Sequence, residues 1–205
     1  MRRLAVAAAL AAVAAAGCRN KPNASYEGVP LAQARGVREA PEGPTIVVRP
    51  DATQPEIPRD ATGGILRLAI DRHVHWKDVD ALLKKVDAAG AQAVPLVGHR
   101  WHLRAFSLSD DLESQRSIAL TATLEGKSCA SPPGVPEAKC VQTIEKNHID
   151  VAYTRELVRE AVNEYQIFDV NLQVDPEMQW QDVVRAIDGA RTCCYDTPVR
   201  VKLNR

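Results

Sequence analysis

The chain has 205 residues, and its 26 Lys and Arg balance 26 Asp and Glu, so the formal charge is zero. That balance lacks the basic surplus of a nucleic-acid-binding domain, and the length suits one ordinary domain or two small ones. No Gly-rich phosphate loop, Gly-x-Ser-x-Gly elbow or His-Glu-x-x-His run occurs, so neither an enzyme nor a cofactor is expected.

At the start, Arg2 and Arg3 precede an uncharged, alanine-rich run from Leu4 to Ala16, the form of a secretory signal peptide. The run falls well short of the roughly 20 apolar residues of a lasting transmembrane helix. It ends Ala15-Ala16-Gly17-Cys18, which resembles the bacterial lipobox, where small residues fit the signal peptidase and the cysteine takes the lipid. Residues 1–17 are therefore read as a lipoprotein signal peptide and Cys18 as the lipidation site. Two or three acyl chains, at about 0.8 kcal/mol per buried CH₂, would make the membrane a permanent partner. The mature chain would keep 24 basic against 26 acidic residues and face the periplasm from the cell envelope. Arg19 stands where an aspartate would favour the inner membrane, which leans the assignment towards the outer one.

Residues 18–63 read as the lipidated cysteine and a proline-rich tether, since seven of the 13 prolines fall between Arg19 and Gly63 and apolar periodicity is almost absent. As a flexible coil such a tether would span about 35–40 Å, and pulled straight about 150 Å. Within it, Thr45-Ile46-Val47-Val48 reads as a strand able to pair with the folded part.

Residues 64–100 read as a strand–helix–strand unit. Ile65 to Asp71 is dense in apolar residues, Trp76, Val79, Leu83 and Val86 recur at helical spacing, Gly90 closes the helix, and Ala93-Val94-Pro95-Leu96-Val97 forms the second strand. The same order returns after 104 residues, in Val170 to Asp175, in Trp180, Val183, Val184 and Ile187, and in Val199 to Leu203. Six positions match in type, namely Leu68/Leu172, Asp71/Asp175, Trp76/Trp180, Asp78/Asp182, Val79/Val183 and Val97/Val201, as in an internal repeat. Before the second copy, Ser117 to Leu124 alternates like a half-buried strand. Cys140 to Ile144 and His148 to Val151 suggest a hairpin, and Thr154 an N-cap for a helix bearing Leu157, Val158, Ala161, Val162 and Tyr165 on one face.

Asp71 and Asp175 each stand where a strand turns towards a helix, which is turn duty for an aspartate rather than catalysis. Trp76 and Trp180 are read as core anchors. Apart from Cys18, four cysteines remain, and the favoured bridge is Cys129–Cys140 across a Pro-rich turn, where closing the loop is worth about 3 kcal/mol. The adjacent Cys193 and Cys194 are read as thiols or a static bridge, with redox activity as the alternative. His73, His75, His99 and His102 form two short pairs that parallel strands would bring to one sheet edge, a histidine-based metal site being the alternative function.

From about Ser117 to Leu203, the order hairpin, helix, strand, aspartate, aromatic, helix, strand resembles the periplasmic domain of the ExbD/TolR family. Val174-Asp175, Trp180-Gln181-Asp182-Val183-Val184 and Val199-Arg200-Val201-Lys202-Leu203 carry the likeness, which covers residues 115–205; residues 64–100 look like a truncated second copy. The resemblance implies an α+β fold of two such units. It also implies an accessory or adaptor role in biopolymer transport or envelope energy coupling, beside a TolQ/ExbB-like channel or peptidoglycan, with homodimerisation. The family's transmembrane helix with its proton-linked aspartate has no counterpart here, so no proton-carrying residue is transferred. The closing strand is expected at a sheet edge, offering Val199, Val201 and Leu203 to a partner chain.

Overall fold

The computed structural model describes residues 24–191 and 200–204, except 36, 51, 53–54, 99–100, 104–105, 110–115 and 143–147. Cys18, His99, Cys193, Cys194 and Val199 therefore lie outside the described residues.

The fold is α+β. A small hairpin comes first, β1 (Ser25–Tyr26) and β2 (Val29–Pro30). Its two-residue turn is made by Glu27 and Gly28 at φ of 47° and 78°, the left-handed pair that matches the twist of a tight hairpin. The first repeat then builds a five-stranded sheet. Its strands are β3 (Val37–Glu39), β4 (Thr45–Val48), β5 (Ile65–Ile70), β6 (Gln92–Gly98) and β7 (Trp101–Leu103), in the order β3-β7-β6-β5-β4. Strands β4, β5 and β6 are parallel, and α1 (Trp76–Ala88) makes the crossover between the last two. Helix α1 buries Trp76, Val79, Leu82, Leu83 and Val86 at intervals of three and four, and Gly90 leaves it at φ 71°, which a side chain would resist.

The second repeat builds a six-stranded sheet from β8 (Phe106–Ser109), β9 (Ile118–Ala122), β10 (Lys127–Ser131), β11 (Lys139–Gln142), β12 (Asp169–Val174) and β13 (Arg200–Asn204), ordered β11-β10-β9-β12-β13-β8. Strand β9 alternates buried and exposed residues, as its sequence requires. Two helices cover this sheet, α2 (Val151–Tyr165) and α3 (Trp180–Ala190). The cap of α2 is Asp150, whose side chain accepts from Ala152 N–H at 2.7 Å and Tyr153 N–H at 3.0 Å. Thr154, expected in that role, lies buried inside the helix with its hydroxyl 2.9 Å from that of Ser128.

The two repeats meet about a local twofold, and the backbone hydrogen bonds at the seam come in pairs related by 104 residues. Trp76 N–H donates to Met178 O and Trp180 N–H to Val74 O, both at 2.7 Å; Lys77 N–H donates to Pro176 O at 2.9 Å and Gln181 N–H to Arg72 O at 3.0 Å. His75 and Gln179 pair as an antiparallel bridge on the axis. The two indoles stack there with centroids 6.2 Å apart and planes inclined by 12°, and a single cluster of buried side chains runs through both repeats. Strand β4 is the first repeat's counterpart of β9. Asp71 N–H donates to Val48 O at 2.9 Å, as Asp175 N–H does to Ala122 O at 3.2 Å.

Besides the cap of α2, three expectations are corrected. The hairpin is formed by β10 and β11, not by Cys140 to Ile144 with His148 to Val151, since Val151 opens α2. The described residues of 24–63 do not form a tether: Val29, Leu31 and Ala32 are at most 1% exposed, and Ile46, Val48 and Ala61 are also buried. Pro30 ends β2 and Pro44 immediately precedes β4, positions where a missing N–H is tolerated. Strand β13 is not an edge. It pairs in parallel with β12 on one side and β8 on the other, with Val201 and Leu203 buried, so the edges of its sheet are β11 and β8.

Candidate functional site

The turns at the seam place the first group of side chains. Asp71 Oδ1 accepts the backbone N–H of His73 at 2.9 Å, and Asp175 Oδ1 that of Glu177 at 2.9 Å. Each aspartate thus closes a turn through its own side chain, in keeping with the turn duty expected of them. Asp71 is buried and also takes His73 Nδ1–H at 2.9 Å, while Arg72 Nε–H points to His73 Nε2 at 3.3 Å. His75 gives its Nδ1–H to Glu177 O at 2.7 Å. Across the axis, Lys77 Nζ reaches both carboxylate oxygens of Glu177 at 2.8 and 2.9 Å. That bond holds the Glu177 carboxyl below its ordinary range and raises the Lys77 ammonium above its own.

His73 and His75 are each engaged by a different partner. His102 belongs to β7, where its backbone faces Arg38 and Leu96. No group of three or more His, Cys, Asp or Glu stands together as metal ligands among the described residues. Cys129 and Cys140 face each other across β10 and β11, Cα to Cα 4.1 Å, and are joined by a disulfide.

Beside the seam lies a groove of about 1270 Å³. One wall is the amino-terminal segment, with Ala24, Ser25, Gln33 and Arg35. Arg72 and His73 from the turn after β5 form part of the rest, and His148, Gln181, Asp182, Arg185 and Asp188 close it from the second repeat. Gln33 and Gln181 tie the two walls together, Gln33 N–H donating to Gln181 Oε1 at 3.1 Å and Gln181 Nε2–H to Gln33 O at 3.3 Å. Comparison with protein families, curated proteins and solved structures finds no match. The site is accordingly read from its own residues.

The groove's two carboxylates are buried and already bonded. Asp182 Oδ1 accepts from Ile149 N–H at 3.0 Å and Arg185 at 3.3 Å, and its Oδ2 lies 3.2 Å from His148 Nδ1. Asp188 Oδ2 accepts Arg35 N–H at 3.0 Å. Both carboxylates fix segments of backbone, while the guanidinium groups of Arg35 and Arg72 remain on the wall. The arrangement is suited to holding an anionic group by charge-assisted hydrogen bonds. None of Arg35, Arg72, Arg185 or His148 belongs to a motif in the sequence, and only the fold brings them to one place.

Proposed function

We propose that this protein is a non-enzymatic lipoprotein of the bacterial cell envelope, acylated at Cys18 and facing the periplasm. It acts as an ExbD/TolR-like accessory or adaptor that binds a protein partner or the cell wall. The observation that supports this most directly is the pairing of two strand–turn–helix units about a local twofold, sealed by the Trp76–Trp180 stack. The family resemblance implies homodimers, and two copies fused in one chain supply the equivalent of a dimer without a second molecule. Such a body is a rigid adaptor, because its binding walls are held by a continuous core rather than by an association that depends on concentration.

The anchor completes the proposal. Ala24 already belongs to the folded body, so with Cys18 acylated only five residues, 19–23, would separate lipid from fold. Mass spectrometry of protein purified from membranes tests this first: a mature amino terminus at Cys18 carrying acyl chains is expected, and an unprocessed Met1 or an unacylated mature form sinks the assignment. Crosslinking in intact cells followed by affinity purification tests the adaptor role. It should recover a TolQ/ExbB-like channel component or peptidoglycan fragments, and recovery of neither counts against it.

A further inference from the structure

Among the described residues, the groove presents two cations without a carboxylate partner. Arg35 is exposed, and its backbone N–H is bonded to Asp188. Arg72 uses Nε on His73, and neither guanidinium has a carboxylate partner among the described residues. Arg185, by contrast, is paired with Asp182 at 3.3 Å. Two guanidinium groups on one groove, with Asp182 held by Ile149 N–H, Arg185 and His148 and with Asp188 accepting Arg35 N–H, select a ligand that carries its own negative charge. Planar guanidinium forks suit the oxygens of a phosphate, which they bind through two parallel bonds.

Position narrows the ligand further, and this step rests on the acylation proposed above. Ala24 and Ser25 line the same groove, and Cys18 precedes Ala24 by six Cα steps. At about 3.6 Å per step those residues reach no more than about 22 Å, whatever path they take. An acyl chain on Cys18 thus keeps the Ala24 edge of the groove within that distance of a bilayer surface, where headgroup phosphates are the most concentrated anions at hand. We infer that the groove is a receptor for the phosphate of an anionic phospholipid headgroup, held between Arg35 and Arg72, which sets how the protein lies on its membrane. The groove's volume of about 1270 Å³ leaves room for a headgroup and its glycerol, beyond what a lone phosphate needs.

The test uses the full acylated protein, purified from membranes and reconstituted in vesicles of phosphatidylcholine alone or with increasing phosphatidylglycerol, read by hydrogen exchange of the amides around Arg35 and Arg72. Phosphatidylglycerol should slow exchange at both segments, and phosphatidylcholine should not. Arg35→Gln and Arg72→Gln should each shift the lipid titration by about fivefold, the weight of one basic residue near an anionic surface, and together abolish the protection. Lys127→Gln, outside the groove, should leave it unchanged. Inorganic phosphate added to phosphatidylcholine vesicles separates the sources: protection at phosphate levels below those needed for the lipid would make this a free-phosphate site and overturn the inference. Equal protection in both kinds of vesicle, or protection that survives the double substitution, also overturns it. If mass spectrometry finds Cys18 unacylated, the anchor fails independently, and titration with a water-soluble short-chain phosphatidylglycerol puts the same question to the groove, with the same substitutions deciding it.

Discussion

The two repeats share a strand, an aspartate turn, a tryptophan and a helix, yet residues at matching positions have different surroundings. Gly189 of α3 corresponds to Lys85 of α1. A methyl group on Gly189 would come within 2.8 Å of Thr154 Cβ on α2, whereas Lys85 is exposed, with no counterpart of α2 over it among the described residues. Asp182 and Asp78 match in the same way: the first is buried and holds Ile149, His148 and Arg185, and the second is exposed near the start of α1. The comparison teaches that the core and the seam impose residue type on both copies, while the insert between β9 and β12 imposes it on one.

The largest effect should come from the shared feature. Trp180→Ala removes a side chain with no exposure and should cost about 3–5 kcal/mol, as large aromatic truncations in cores do. Trp76→Ala should cost a similar amount. Because the rings stack, the double variant should cost less than the sum, and chemical denaturation of all four forms measures that coupling. Additive costs would mean that the stack does not join the repeats energetically.

Features confined to the second repeat should follow. Reducing Cys129–Cys140 should lower stability by about 2–4 kcal/mol and raise hydrogen exchange in β10 and β11 more than in β5 and β6. Uniform loss across both sheets would mean that the hairpin supports the whole fold. Gly189→Ala should destabilise by about 1–3 kcal/mol through overpacking against Thr154, while Lys85→Ala should change stability little, both read from thermal melts.

The smallest effect concerns the exposed pair that crosses the axis. The Glu177 carboxyl is depressed by its bond to Lys77, so its contribution is complete above the unfolded-state pKa and disappears as pH falls through the lower folded value. The Lys77 ammonium is raised, so its share is complete below its ordinary pKa and disappears as pH rises through the folded one. Lys77→Met should therefore lower the melting temperature slightly at neutral pH and leave it unchanged in acid, since an exposed pair is weakened by solvent. A difference that persists in acid would assign the loss to packing.

The repeat was legible because the seam needs bulky apolar groups at fixed spacing, which leave their mark at Leu68/Leu172 and Trp76/Trp180. The turn aspartates and the cysteine bridge were legible for the same local reason. The segment from Ala24 to Glu39 was not. Its strands are two or three residues long, too short to show a period, and the prolines around them look like those of a linker. The edge assignment of Val201 and Leu203 failed because Phe106–Ser109, which pairs beside them, stands about a hundred residues earlier, a parallel pairing that no neighbouring residue announces. The groove was hidden for a similar reason: Arg35, Arg72 and Arg185 are scattered along the chain, and charge counts average them away.

The bridge between His75 and Gln179 has a kinetic consequence. Its formation closes more than a hundred residues of chain, an entropic expense that rises slowly with length but must be met before the contacts it permits can form, and such distant pairings make for slow folding. The last strand, moreover, must slot between β12 and β8. Strands β9, β10 and β11 can pair with one another as soon as they are made, but β8 joins that sheet only through β13, so it waits unpaired on that side until residues 200–204 follow.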